Sequence, residues 1–198
     1  MENLILPSTY LGPIPLFAAM LRNGKAQIEQ YDHYVKQTFR NRCVIAGPNG
    51  TQTLTIPVEK PADHKAYMRD LRISDHGNWR HLHWNALESS YGKSPFFEYY
   101  ADDLRPFYTE RRWEFLIDFN EELTHTILEL LDIEVELTRT SAYSGADLHQ
   151  WAEPSALRTL PFKPYYQVFA QRQGFLPHLS IADLLFNMGP EGVLVIGN

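Results

Sequence analysis

The sequence predicts an α/β fold, a mixed sheet with a β-hairpin and flanking helices, with α+β segregation as the alternative. Three observations carry this. Apolar residues recur at helical spacing over 78–91, 112–131 and 181–188. Short runs rich in apolar and β-branched residues fall between them, at 3–6, 26–31, 70–74 and 133–138. Two further runs, 38–46 and 51–58, flank Gly47-Pro48-Asn49-Gly50, which supplies a hairpin turn.

A chain of 198 residues defaults to one domain, here 1–198, and is long enough to bury a core. Hydrophobic residues at 44% and aromatics at 13% exclude a disordered chain. A net charge of -6 gives no support to a nucleic-acid partner. Cys43 is the only cysteine, so no internal disulfide forms and a reducing compartment is expected. The start, MENLILPSTYLGP, lacks the basic region of a signal peptide, and no stretch approaches the ~20 apolar residues of a spanning helix. The expectation is a cytoplasmic protein without an integral membrane segment, with self-association left open.

In chain order, 3–6 reads as a first buried strand. Residues 7–15 hold three prolines and a glycine, a rigid loop opening a short helix through Ile14, Phe17, Ala18 and Leu21 that Gly24 ends. If that helix crosses between parallel strands, Ser8-Thr9-Tyr10 lies at a carboxyl end of the sheet, where α/β folds hold ligands. A proline-stiffened surface turn is the competing reading. In the first hairpin arm Phe39, Asn41, Cys43 and Ile45 alternate with Arg40, Arg42 and Val44. Lys36, Arg40 and Arg42 then share a face suited to phosphate or carboxylate, unless it is a solvated face paired with glutamates. Cys43 falls on the Phe39 face and reads as an inert core thiol.

Residues 59–67 form a loop, and 70–74 leads into the central stretch SDHGNWRHLHWNALESSYGKSPFFEYY. There Trp79, Leu82, His83, Ala86, Leu87, Ser90 and Tyr91 make the inward stripe of a helix, with Asp75 or Asn78 as cap and Gly92 as a left-handed stop. Arg80, His81, Trp84, Asn85 and Glu88 face the other way. His83 sits among apolar neighbours, either as a pocket-wall base or as a hydrogen-bonded core residue. His81 and His83 point about 200° apart on a helix, so no metal is expected. Ser94-Pro95 suits a helix start and Pro106 a break. The stripe of 112–131 is interrupted by Asn120, a core clamp or a ligand reader. Residues 140–164 read as a flexible or inserted region with one helical turn near 147–151. In the last helix Ser180 and Asp183 form a capping box that Gly189 closes.

The blocks YVKQTFRNR with LTIPV, Trp79-His83-Tyr91 with SPFFEYY, LIDFN, and YYQVF with LSIADLLFNMG resemble, in order, the WbqC-like protein family of bacteria. The resemblance implies a surface-polysaccharide (O-antigen) context and an acyl or aminoacyl, specifically glycine, transferase. By position it carries the family's basic strand onto Lys36 and Arg42, and its helix residues onto Trp79, His83, Tyr91 and Asn120. Its C-terminal block falls on Gln167, Ser180, Asp183, Asn187 and Gly189. Two segments depart from the family. Of an N-terminal Gln-Pro-x-Tyr-x-Pro-Trp-like motif only Tyr10 and Leu11 remain, and 140–164 abridges a longer region.

Transfer onto a sugar needs a base and a grip on an activated donor. The candidates are His83 as base, Lys36, Arg40 and Arg42 as anion grip, and Trp79, Tyr91, Asn120 and Tyr10 as substrate contacts. The partner is a small-molecule or sugar-linked substrate. No P-loop, dinucleotide fingerprint or G-x-S-x-G motif occurs, so no cofactor is expected. The alternative is a non-catalytic carbohydrate- or nucleotide-sugar-binding or assembly protein of envelope synthesis, using its aromatic side chains as stacking platforms.

Overall fold

Prolines and glycines punctuate the first sixty residues, and the computed structural model, which describes residues 4–60, 66–158, 160 and 163–197, shows what they delimit. Strand β1 (Ile5–Pro7) leads through a loop into helix α1 (Ile14–Asn23), whose first turn contains Pro15. Gly24 ends it at φ 67, a left-handed conformation that costs glycine little, with its N–H bonded to the Met20 carbonyl. Strand β2 (Lys25–Glu29) pairs parallel with β1, so α1 is the crossover. Strand β5 (Glu136–Arg139), reached much later, pairs parallel on the other side of β2. Position 3 of the first expected strand lies outside the described residues.

Strands β3 (Arg42–Gly47) and β4 (Gly50–Thr55) form the hairpin, in register from Arg42–Thr55 to Gly47–Gly50. Parallel and antiparallel pairing therefore occupy two sheets, and together with the helices they give the expected α/β class. The first arm starts at Arg42 rather than at position 38. Before it, the Phe39 N–H bonds to Ala152 and the Phe39 carbonyl accepts from Tyr10, so this backbone is spent on other segments. The strand expected at 70–74 is a 3-10 turn, Met68–Asp70, followed by single bridges from Arg72 to Phe115 and from Ile73 to Val58. Pairing alternates between two flanking segments and no ladder forms. Residues 61–65 of the preceding loop lie outside the described residues.

Helix α2 (Trp79–Tyr91) begins one residue later than expected. Asn78 stands at its start in the left-handed region, φ 48, and its side chain makes no cap. Gly92 is right-handed, not a left-handed stop. Space explains the glycine, because a Cβ there would come within 2.6 Å of the Glu88 carbonyl oxygen. The buried face is also rotated, by about 50° from the expected stripe. Arg80 and Trp84 turn inward while Leu82 is 58% exposed. Arg80, expected on the outward face, stacks over Trp79, pairs with Asp75 and is buried.

Helix α3 (Phe97–Leu104) starts two residues beyond Pro95, since the Ser94 hydroxyl bonds back to Tyr91 at 2.6 Å instead of capping. Pro106 opens the short α4 (Pro106–Thr109). Helix α5 (Leu116–Leu130) starts at 116 because the segment before it is extended against Arg72. The described part of 140–164, which leaves out 159, 161 and 162, is not a free insertion. It contains α6 (His149–Ala152) and α7 (Pro154–Leu157), and Leu148, Ala152 and Leu157 are buried. After α8 (Ala170–Gln173), α9 (Ile181–Met188) runs as expected and α10 (Gly192–Ile196) follows. Gly189 stops α9 at φ 54, and a Cβ on it would strike the Phe96 ring at 2.5 Å, so glycine is required twice over. Buried apolar side chains from Leu6 to Ile196 form a contiguous cluster uniting both sheets with α1, α2, α5 and α9.

Candidate functional site

Helix α9 is apolar on nearly every side, yet it carries Asp183 at 0% exposure. Its expected partner is the Ser180 cap. Ser180 does cap, its hydroxyl accepting from the Ala182 N–H at 3.1 Å, but its own N–H bonds to Val44. The Asp183 carboxylate turns away from the helix end. Oδ1 accepts from the Tyr91 hydroxyl at 2.8 Å, and Oδ2 accepts from the Tyr165 hydroxyl at 2.6 Å and from Gln167 Nε2 at 3.0 Å. The Tyr91 oxygen in turn accepts from the Ala46 N–H at 3.0 Å, tying α2, the hairpin and α9 to one carboxylate.

No cationic side chain among the described residues bonds to Asp183. Burial raises its pKa despite those donors, because desolvation outweighs the hydrogen bonds that favour the anion. Burial first, and then the Asp183 charge, hold the Tyr91 and Tyr165 phenols well above their usual range. Glu29, also buried, is held by the N–H groups of Tyr31 and Ser144 and the Thr140 hydroxyl, and anchors a loop.

Tyr165 also lines a cavity of about 520 Å³ between α1, α10 and the segment after α7. Ile14, Ala18, Trp151, Phe175, Val195 and Ile196 supply most of its apolar wall. Arg22, Lys163 and His178 are the other ionisable groups lining it. Burial, and then the charge of Arg158, lower the His178 pKa, so this imidazole is neutral near neutral pH. A comparable volume near Gly24 and Glu129 is an open, mostly polar surface hollow. Size, a mainly apolar lining and a few polar groups make the α1/α10 cavity the ligand site to consider first.

None of the catalytic or substrate-binding candidates named from the sequence lines this cavity. His83 is 5% exposed and joins a second network. Its Nδ1 lies 2.9 Å from the Tyr10 hydroxyl, which lies 2.9 Å from the Tyr108 hydroxyl. The ring's other nitrogen is left for the Thr55 backbone, a contact that favours a proton on it. Protons then run from Tyr108 to Tyr10 and from Tyr10 to Nδ1. Burial lowers the His83 pKa to about 4, so the ring is neutral, as its apolar setting implied. Tyr10 is 0% exposed, and the loop expected to hold ligand at the carboxyl end of β1 is packed into the core. Trp79 packs edge-on to both His83 and Phe119.

Asn120 donates to the Ser8 hydroxyl at 3.0 Å and the Arg40 carbonyl at 2.8 Å, the geometry of a clamp between α5 and the loops. Arg40 is buried and paired with Asp32 at 2.6 Å, Arg42 is half-buried at the start of β3, and Lys36 is exposed on a loop. The expected line of three cations needs strand geometry over 36–42, and the chain is not extended there. Of the substrate-contact candidates only Tyr91 reaches the Asp183 centre, where it meets Gln167 of the C-terminal block that the family resemblance had marked.

Sequence reasoning passed over Tyr165, and gave Asp183 a capping role and a place in the family's C-terminal block but no role in the site. A lone carboxylate on an otherwise apolar helix face was the available signal. Its partners, 92 and 18 residues away, were not.

A protein-family model described as the WbqC-like protein family matches residues 8–160, which include Tyr10, His83 and Tyr91 but end before Tyr165 and Asp183. Among curated proteins, the uncharacterized protein Rv1507c of Mycobacterium tuberculosis is 30% identical, over 80% of this chain and 81% of the relative. No solved structure matches the chain. No helix among the described residues is long and apolar enough to cross a membrane.

Proposed function

The chain belongs to the WbqC-like protein family, and from that premise we propose that it is a cytoplasmic transferase of surface-polysaccharide biosynthesis. On this reading it moves an acyl or aminoacyl group, glycyl included, onto a hydroxyl or amine held in the α1/α10 cavity. The supporting observation is a buried carboxylate joined at 2.6 Å to a phenol that lines a half-open, mainly apolar cavity of about 520 Å³. The acceptor O–H or N–H attacks the acyl carbonyl carbon. The new bond to carbon forms and the bond to the donor's leaving group breaks. The acceptor's proton passes to the Tyr165 oxygen while the Tyr165 proton passes to Asp183. A raised carboxylate pKa makes Asp183 the better base, and a raised phenol pKa keeps Tyr165 a relay rather than an anion.

His83, the base anticipated from sequence, here positions Tyr10 and the hairpin, since its proton-accepting nitrogen is already occupied. The competing reading is a binding protein without turnover. It is favoured by Asp183 having both oxygens satisfied within the fold. Acyl and glycyl thioesters mixed with nucleotide-linked amino sugars, followed by mass spectrometry of products, separate the two. A transferase loses turnover by about 100-fold in Tyr165→Phe with donor affinity nearly unchanged. Absence of any transferred product, with binding intact in both proteins, selects the binder.

A further inference from the structure

We infer that the α1/α10 cavity takes an amphipathic anion, an apolar or aromatic body with one carboxylate or phosphate head, and that Arg22 and Lys163 hold the head. This rests on the reading that the ligand meets Tyr165 there, and adds the class of molecule that enters. Four ionisable residues line the cavity, Arg22, Lys163, His178 and Tyr165, and none of them is acidic. The full charges in the lining, Arg22 and Lys163, are both positive, although the chain as a whole carries a net charge of -6.

Arg22 lies in the last turn of α1 and Lys163 in the segment between α7 and α8; both are exposed, and neither forms a salt bridge among the described residues. A head held at such a mouth keeps part of its water and so avoids the penalty of a buried charge. The body then fills a volume within the range that receives small organic ligands. Trp151, Phe175 and Ile14 offer it aromatic and aliphatic surface, and each added methylene should tighten binding about fourfold until the cavity is full. A cationic head would meet Arg22 and Lys163 as like charges, and a neutral alcohol would gain nothing from them.

Four probes with one body and different heads test this: decanoate, decyl phosphate, decanol and decyltrimethylammonium, titrated calorimetrically below their micellar concentrations. Both anions should bind and raise the melting temperature, and their ratio tells which head is preferred. Decanol should bind at least about tenfold more weakly and the cation not measurably. Arg22→Gln with Lys163→Gln, both exposed, should bring the anions to the level of decanol without altering decanol itself. Ala18→Met, which puts bulk into the cavity from α1, should weaken all binding. Equal affinity for decanol and decanoate, no response to the paired charge variant, or no binding by any probe overturns the inference.

The transferase reading fails separately. If the anions bind as described but Tyr165→Phe transfers acyl groups at the normal rate, the ligand class stands and the relay does not. If Tyr165→Phe abolishes transfer while the heads are not distinguished, the relay stands and the ligand class falls.

Discussion

Two buried networks share a plan: in each, two tyrosines close on one titratable side chain. Around His83 the tyrosines are Tyr10 and Tyr108, and around Asp183 they are Tyr91 and Tyr165. In the first, burial removes the charge and leaves neutral donors matched to neutral acceptors. In the second, three donors converge on a carboxylate, and one of them also lines a cavity of about 520 Å³. Tyr108 borders only a shallow cleft of about 140 Å³. Burial of a polar group is thus common to structure and chemistry. What separates them is whether the group opposes its burial, by keeping donors for a charge, and whether a member can be reached.

Removing the centre of each network tests this most severely. Asp183→Ala takes the buried acceptor from the Tyr91 and Tyr165 hydroxyls and from one Gln167 N–H, and should cost about 4 kcal/mol, read from urea unfolding. His83→Gln keeps a side chain of similar size that can accept from Tyr10, so its cost at neutral pH should be about 1 kcal/mol. An Asp183→Ala protein as stable as the His83→Gln protein would break the distinction between the networks.

Acid should separate them next, because the two shifts have opposite signs. The folded pKa of His83, about 4, lies below its ordinary 6.5, so between these values the unfolded chain binds more protons. Stability is therefore lost as pH falls through that window, by up to about 3 kcal/mol, and His83→Gln should lack this component. The Asp183 pKa is raised, so between its ordinary and folded values the folded chain binds more protons. Its contribution is an unfavourable one at neutral pH that acid relieves. Denaturant midpoints measured across the acid range in wild type, His83→Gln and Asp183→Asn resolve the two slopes. A wild type and a His83→Gln protein with parallel pH profiles would mean that His83 is not buried neutral.

How much of this the chain discloses depends on distance along it. The helix over 181–188, the hairpin turn at 47–50 and the Gly24 and Gly189 stops follow from local patterns, and all are present. His83 as a buried neutral imidazole was legible because its helix neighbours are apolar. The face of α2 was not, since Arg80 and Trp84 pack inward through long-range contacts that helical spacing cannot see, and Leu82 is left outside. The basic line through Lys36, Arg40 and Arg42 failed for a similar reason. Asp32 claims Arg40, and the chain over 34–41 gives its hydrogen bonds to other segments. The cavity needed α1, α6 and α10 brought together across nearly the whole length of the chain, and no local motif records that.

The smallest effect is also the most discriminating, and it compares the two inner tyrosines. Tyr91→Phe deprives the Ala46 N–H of its acceptor and Asp183 of a donor. Tyr10→Phe deprives His83 Nδ1 of its donor and Tyr108 of its partner. Each variant breaks two hydrogen bonds in a fully buried place and leaves a ring of the same shape. The packing terms largely cancel, and what remains is the charge on the acceptor. A bond to an ionised group contributes about 1 kcal/mol more than a neutral one, so at neutral pH Tyr91→Phe should be the costlier by about that amount. The gap should close as pH falls through the raised pKa of Asp183, because protonation turns the Tyr91 bond into a neutral one. Unfolding free energies of the two variants at neutral and acid pH give both numbers. A gap absent at neutral pH would mean that Asp183 is already protonated in the fold, and a protonated carboxylic acid cannot receive the proton that Tyr165 would pass to it.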